Sequence, residues 1–294
     1  KQTSIFSNQV VENVFEFGSI IKPLVMAAGL DIGVVTPKTS YNDKGFVIID
    51  KKQINNFDKK GRGPNTTMQD VLNQSLNTGM VLVAGKLGKD NMRDYMLSYG
   101  IGEKTGIDLP NETSGLVSNL KSPRDLEYAN AAFGQGIALT PIEAVRALSS
   151  LGNGGNLVVP HLVKEIKYED GTKKEITYPT KRVKFSEKTS EEITSMLVTV
   201  MDKSLKGGPA KFDHYSVAVK TGTAQVARSD GGGYYEDRHT HSFFGYFPAY
   251  DPKFLVFLYA VNPKGVPYAS QTWADPFLDL AKFLINYYEV PPDR

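Results

Sequence analysis

Cysteine is missing from the 294-residue chain, so a disulfide framework, a thiolate metal site and a cysteine nucleophile are all excluded. Histidine is scarce: there are four, and only His239 and His241 stand close enough to share a strand face. With Gly231-Gly232-Gly233 beside them and no third ligand in sight, they read as part of a loop, and no metal is expected. Charge of one sign is lacking too, since 34 Lys and Arg face 32 Asp and Glu for a net +2. No dense basic run with interleaved aromatics occurs, which argues against a nucleic-acid partner. No stretch approaches the roughly 18 apolar residues of a membrane span, and the longest, Phe254 to Val261, has strand length. The chain begins at Lys1 with only 18 residues ahead of Ser19, and we expect a fragment whose leader or anchor lies outside it.

What is present divides into a helical middle and a strand-rich end, without repeats. Ser19 to Leu30 predicts a helix buried on most sides, with Pro23 near its first turn, where a missing N–H costs little. Tyr41-Asn42-Asp43-Lys44-Gly45 predicts a turn into a short strand, Phe46 to Ile49. A two-turn helix then leads to Ser75, Met80 to Leu87 continues at helical spacing, and Asp90 reads as the N-cap of the next helix. Thr140-Pro141-Ile142-Glu143 is a capping box, closed downstream by Gly152-Asn153-Gly154-Gly155. Ser186 opens another amphipathic helix. Strands are expected over 215–226, 242–248 and 254–261, then a last helix capped by Asp275-Pro276. This is an α+β pattern ending in an antiparallel meander.

Three short motifs carry chemistry. Ser19 and Lys22, three apart on a helix, share a face, and a lysine among apolar neighbours has its ammonium form disfavoured. Neutral, it can take the proton of an attacking hydroxyl. Taken alone, the pair reads as an N-cap and a surface lysine. Ser75-Leu76-Asn77 can relay a proton and hold a substrate amide; alone, it is a turn device. Lys220-Thr221-Gly222-Thr223 in a strand makes a carboxylate site, or equally an edge strand guarded by a lysine. Their joint occurrence, in this order, decides for function.

The trio S-x-x-K, S-x-N, K-T-G resembles that of penicillin-binding proteins and class A β-lactamases. From about Glu16 to Arg294 the chain is similar to a class B penicillin-binding protein transpeptidase domain, and residues 1–294 are expected to form that one domain. Phe133-Gly134-Gln135-Gly136-Ile137, Lys220 to Gln225 (K-T-G-T-A-Q), Ser242 to Pro248 and Pro291-Pro292-Asp293 carry the resemblance. Phe17 stands where the family usually has proline. The resemblance implies a serine β-lactamase/transpeptidase-like fold, an antiparallel sheet flanked by helices with an all-helical lobe. It implies further sheet strands, a pedestal domain and a membrane anchor ahead of this fragment.

It also implies a D,D-transpeptidase that cross-links peptidoglycan stem peptides ending in D-Ala-D-Ala and is inhibited by β-lactams, without a cofactor. Ser19 would be the nucleophile, Lys22 the base and Ser75 the shuttle. Asn77 would bind the donor amide, and Lys220, Thr221, Gly222 and Thr223 the terminal carboxylate. The backbone N–H groups of Ser19 and Thr223 would form the oxyanion hole. A place at the extracytoplasmic membrane face, beside a glycosyltransferase and division or elongation machinery, follows from the same resemblance, with a lean toward division. A D,D-carboxypeptidase, a β-lactam sensor and a serine β-lactamase are the alternatives. A class A lactamase needs a deacylating glutamate, and Glu112 lies in the right region but lacks the E-x-x-x-N pattern, so it reads as structural.

Overall fold

The computed structural model describes residues 7–208, 212–228 and 230–294. The first six residues of the domain expected over 1–294 lie outside the described residues. A short helix α1 (Gln9–Glu12) leads to a 3-10 turn (Gly18–Ile21) that runs into α2 (Lys22–Ile32). Next come β1 (Ser40–Asp43), β2 (Phe46–Ile49), β3 (Lys52–Asn55) and β4 (Gly63–Thr67), paired as β1–β4 and β2–β3. Helices α3 (Met68–Asn73), α4 (Asn77–Leu87), α5 (Lys89–Ser98), α6 (Asp125–Ala131) and α7 (Pro141–Gly152) form the helical lobe. Small ladders of β5 (Asn156–Leu157), β6 (Glu165–Lys167), β7 (Lys173–Glu175) and β8 (Lys181–Arg182) precede α8 (Glu187–Lys203). The chain closes with β9 (Ala218–Ala227), β10 (Tyr234–Phe247), β11 (Phe254–Val261) and α9 (Ala269–Tyr287).

The expected meander is an antiparallel sheet in the order β11–β10–β9, which leaves β9 at an edge. Alternation along β10 assigns its two faces. Phe243 and Phe247 meet Phe277 of α9, with ring centroids 4.6 and 6.2 Å apart. Gly245 sits between them, because a Cβ there would lie 2.4 Å from the Phe277 ring. Tyr246 points the other way, into the helical lobe, where its hydroxyl lies 2.7 Å from Thr194 Oγ1 on α8. Helix α2, buried almost all round, is the hub of that lobe.

Several elements differ from the sequence reading, most of them for a tertiary reason. The helix expected from Ser19 begins as a 3-10 turn, because Gly18, at φ +63°, docks its N–H on Gly134 O. Tyr41 to Asp43 form strand β1, paired with β4, instead of a turn. Gly88, not Asp90, precedes α5, and Asp90 lies in its first turn. His239 and His241 belong to β10, held by pairing with Gln225 and Thr223, so the loop reading fails there. The last helix starts at Ala269 and carries Pro276 inside it. Its first turns are tied down by Ala269 N donating to Thr223 Oγ1, by Trp273 Nε1 donating to His241 O, and by Thr272 Oγ1 against His241 Nδ1. These bonds offset the roughly 3 kcal/mol that an internal proline costs.

Phe277 is the wholly buried plug between α9 and the sheet. Phe277→Ala is expected to destabilise the chain by about 3–5 kcal/mol, measured as a fall in the urea midpoint at constant slope.

Candidate active site

Gly18, Gly222 and Gly134 let the serine turn approach the sheet edge. A Cβ on Gly222 would meet Phe17 O and Ser242 Oγ, both at 2.3 Å, and one on Gly18 would meet Thr223 O at 2.8 Å. A Cβ on Gly134 would meet Gly18 O at 2.1 Å. Ser242 stitches the contact, its hydroxyl lying 2.8 Å from Phe17 O and 3.3 Å from Gly222 O. Phe17, fully buried, packs edge-on against Phe257 (5.1 Å) and Tyr259 (5.8 Å) of β11. Packing thus holds the turn where the family's usual proline would stiffen it. Within the turn, Lys22 N donates to Ser19 O, and residues three apart in 3-10 geometry eclipse, which stacks Ser19 and Lys22 on one side.

Lys22 is wholly buried and its ammonium end reaches the second motif. Its Nζ lies 2.6 Å from Ser75 O, 3.2 Å from Ser75 Oγ and 2.8 Å from Asn77 Oδ1. From the opposite wall Lys220 Nζ donates to Ser75 Oγ at 2.9 Å and to Thr221 O at 3.1 Å. Lys220 is 1 % exposed although β9 is an edge strand, so it guards no edge against solvent. Burial drives the Lys22 amine well below its ordinary pKa, and the Lys220 charge adds to this. Burial alone brings Lys220 down to about 7. Ser75 itself holds a left-handed conformation (φ +54°), a strain of the kind that gathers at functional sites. The following Leu76 is buried and anchors the turn.

These groups open on one cleft of about 960 Å³, whose walls include Ser19, Ser75, Asn77, Lys220, Thr221 and Thr223. Gly222 is buried just behind it. All the residues singled out in the sequence therefore converge, although Lys22 bonds to Ser75 and Asn77 and makes no hydrogen bond to Ser19 Oγ. Thr223 Oγ1 accepts from Ala269 N at 3.1 Å, which aims its own proton elsewhere. Among the described residues no Asp or Glu lines the cleft. Glu112 is not part of it; its carboxylate accepts from Thr105 N at 2.7 Å and Gly106 N at 3.0 Å and shapes a loop. His241 is buried, which lowers its pKa, while His239 reaches the cleft wall; no cluster of three or more His, Cys, Asp or Glu that could hold a metal occurs among the described residues. Sequence reasoning missed the roles of Ser242 and the α9 N-terminus. A lone serine in the apolar run Ser242 to Phe247 was the available signal for the first; the second had none.

The profile of the penicillin binding protein transpeptidase domain matches residues 1–280. The chain is 36% identical over 275 residues to stage V sporulation protein D of Bacillus subtilis, covering 92% of this chain and 42% of that protein. It is 28% identical over 288 residues to the probable peptidoglycan D,D-transpeptidase PenA of Neisseria gonorrhoeae, covering 98% and 47%. The chain thus spans about half the length of the curated relatives it matches. Penicillin binding protein 3 of Mycobacterium tuberculosis superposes with a TM-score of 0.89 at 26% identity, over 98% of this chain and 66% of that one. The same protein has been solved with aztreonam and with ampicillin.

Gly222→Ala should force the serine turn off β9 and cost about 1–3 kcal/mol by overpacking. Gly85→Ala, in α4 with open space at the Cβ, should instead stabilise by up to about 1 kcal/mol. Thermal melting of the two variants checks the contrast.

Proposed function

Since the chain belongs to the penicillin-binding protein transpeptidase domain family, we propose that it is the acyl-transfer domain of a peptidoglycan D,D-transpeptidase. The observation that carries this reading is the convergence of two buried lysines on the Ser75 hydroxyl, in the cleft that Ser19 enters. Ser19 Oγ attacks the carbonyl of the penultimate D-Ala of a stem peptide while neutral Lys22 takes its proton. The oxyanion forms against the N–H groups of Ser19 and Thr223. On collapse the C–N bond breaks, and the proton returns through Ser75 to the departing D-Ala amine. Asn77 positions the donor amide, and Lys220 with Thr221, Gly222 and Thr223 holds the terminal carboxylate. The amine of a second stem peptide then takes the acyl group from Ser19. A β-lactam follows the same first step, but its amine stays tethered after ring opening.

The acidic-residue-free cleft wall supports slow loss of the acyl group to water, since no carboxylate among the described lining residues can activate one. That favours transfer over a serine β-lactamase. The proposal extends to the longer protein: attachment at the extracytoplasmic membrane face and work beside a glycosyltransferase in division-type wall synthesis. Relatives named peptidoglycan D,D-transpeptidase FtsI support the wall-synthesis part of this reading.

Incubation with benzylpenicillin should add one covalent drug mass to Ser19, persisting for many minutes, and none to Ser19→Ala. An unmodified wild type, or an equally modified mutant, removes the assignment. Release of D-Ala from a stem pentapeptide beyond one equivalent per enzyme only when an amine acceptor is present separates transfer from carboxypeptidase action. The pH profile follows from the lysines. The second-order acylation rate should rise as Lys22 loses its proton and fall as Lys220 loses its proton above about 7. A rate that climbs without a falling limb would show that the Lys220 charge is not used.

A further inference from the structure

Helix α4 starts without a cap of its own. Leu76, the residue ahead of it, is buried and apolar and offers no oxygen to the first N–H groups. Those groups are met from another part of the chain: Asn56 Oδ1 accepts from Asn77 N at 3.0 Å and from Thr78 N at 3.2 Å. Asn56 follows β3 directly and is itself buried. Its Nδ2 donates to both carboxylate oxygens of Asp43, at 3.1 and 2.9 Å, and to Lys60 O at 3.2 Å. Asp43, buried as well, also accepts from Gly45 N at 2.9 Å, Arg62 N at 3.1 Å and Thr78 Oγ1 at 2.8 Å. With donors crowding the carboxylate, the amide of Asn56 has one orientation: nitrogen toward Asp43, oxygen toward the helix.

The consequence reaches Lys22. Asn77 Oδ1 accepts from Lys22 Nζ, while Asn77 Nδ2 donates to Asn55 O at 2.9 Å, next to Asn56. Where α4 begins therefore sets where two of the three Nζ acceptors of Lys22, Ser75 O and Asn77 Oδ1, stand. We infer that Asn56, oriented by Asp43, is a positioning residue that caps α4 in trans and thereby fixes the Ser75–Asn77 turn against Lys22. The inference rests on the reading of Ser19 and Lys22 as nucleophile and base. A cap at position 76 would have held the helix equally well, but Leu76 is spent on the core. The cap from Asn56 ties the turn to β3 instead.

The test compares wild type, Asn56→Ala and Asn56→Ser. The serine hydroxyl is too short to reach both Asn77 N and Thr78 N as Asn56 Oδ1 does, so Asn56→Ser is the milder of the two cap deletions. Three quantities are read: melting temperature, second-order acylation by a fluorescent penicillin across pH, and the Lys22 titration midpoint. The midpoint comes from ¹³Cε signals of the free protein, assigned with Lys22→Met. Asn56→Ala should acylate about 10- to 100-fold more slowly. Its Lys22 midpoint should move to lower pH, because the ammonium loses an acceptor beside the charged Lys220. Asn56→Ser should shift the rate and the midpoint in the same directions by less. Asn56→Ala that melts lower yet keeps the wild-type rate and midpoint overturns the inference, leaving Asn56 a plain staple of the fold. Should Asn56→Ala not fold, Asn56→Ser decides: a slower rate with a Lys22 midpoint moved to lower pH supports positioning, and a wild-type rate and midpoint overturn it. Failure of the wild type to acylate would sink the proposed function, and the Lys22 midpoint would still judge this inference alone.

Discussion

Two buried lysines reaching for one hydroxyl set the terms for everything around them. Lys22 Nζ and Lys220 Nζ each lie about 3 Å from Ser75 Oγ, so they stand no more than roughly 6 Å apart. At an effective dielectric near 20, two full charges at that separation repel by roughly 3 kcal/mol, on top of the cost of burying either. The pair escapes by giving up a proton, and Lys22, driven down by burial and further by the Lys220 charge, is the one to do so. A neutral amine beside a cation is the division of labour that acyl transfer to a carboxylate-bearing substrate needs: a base at one wall, an anion clamp at the other. Ser75 bridges them as both acceptor and donor, so a proton can pass between the walls without either lysine moving.

Such a pair is useful only if the walls stay put, and the fold spends its close contacts there. The serine turn meets the sheet edge through glycines, with Phe17 wedged onto β11 and Ser242 bonded across the seam. On the other side Leu76 sinks into the core, Ser75 takes a left-handed backbone, and the Asp43–Asn56 pair holds the helix start. The lobes touch at the reaction centre, so packing energy from each is converted into the position of one oxygen.

Much of this was legible in the chain because the motifs are local. Ser19 and Lys22 are three apart, the Thr140–Glu143 capping box is complete within four residues, and both appear where the pattern put them. What escaped was bonding between distant segments. Nothing near Leu76 announces that Asn56 caps its helix, and nothing near Pro276 announces that Thr223 and His241 hold the preceding turns. His239 and His241 looked like loop residues because the glycines beside them speak for a turn, whereas strand pairing with β9 lies in the partner, not in the local sequence. Phe17 is the converse case: it stands where the family usually has proline, and aromatic packing with β11, visible only in three dimensions, holds the turn.

The same electrostatics bears on the fate of the acyl-enzyme. A carboxylate placed in this cleft to activate water would sit beside Lys22 and favour its ammonium form. The base needed for acylation would then be lost as the base for hydrolysis was gained. Excluding acidic side chains from the wall therefore does two things at once. On the proposed mechanism it would leave Lys22 neutral enough to accept the Ser19 proton and deny water the help required to clear the ester. An incoming amine needs less help, being the stronger nucleophile, and Lys22 is already there to take its proton. On the proposed reading, slow hydrolysis would be a consequence of how the lysine pair is tuned, and long-lived β-lactam adducts its by-product.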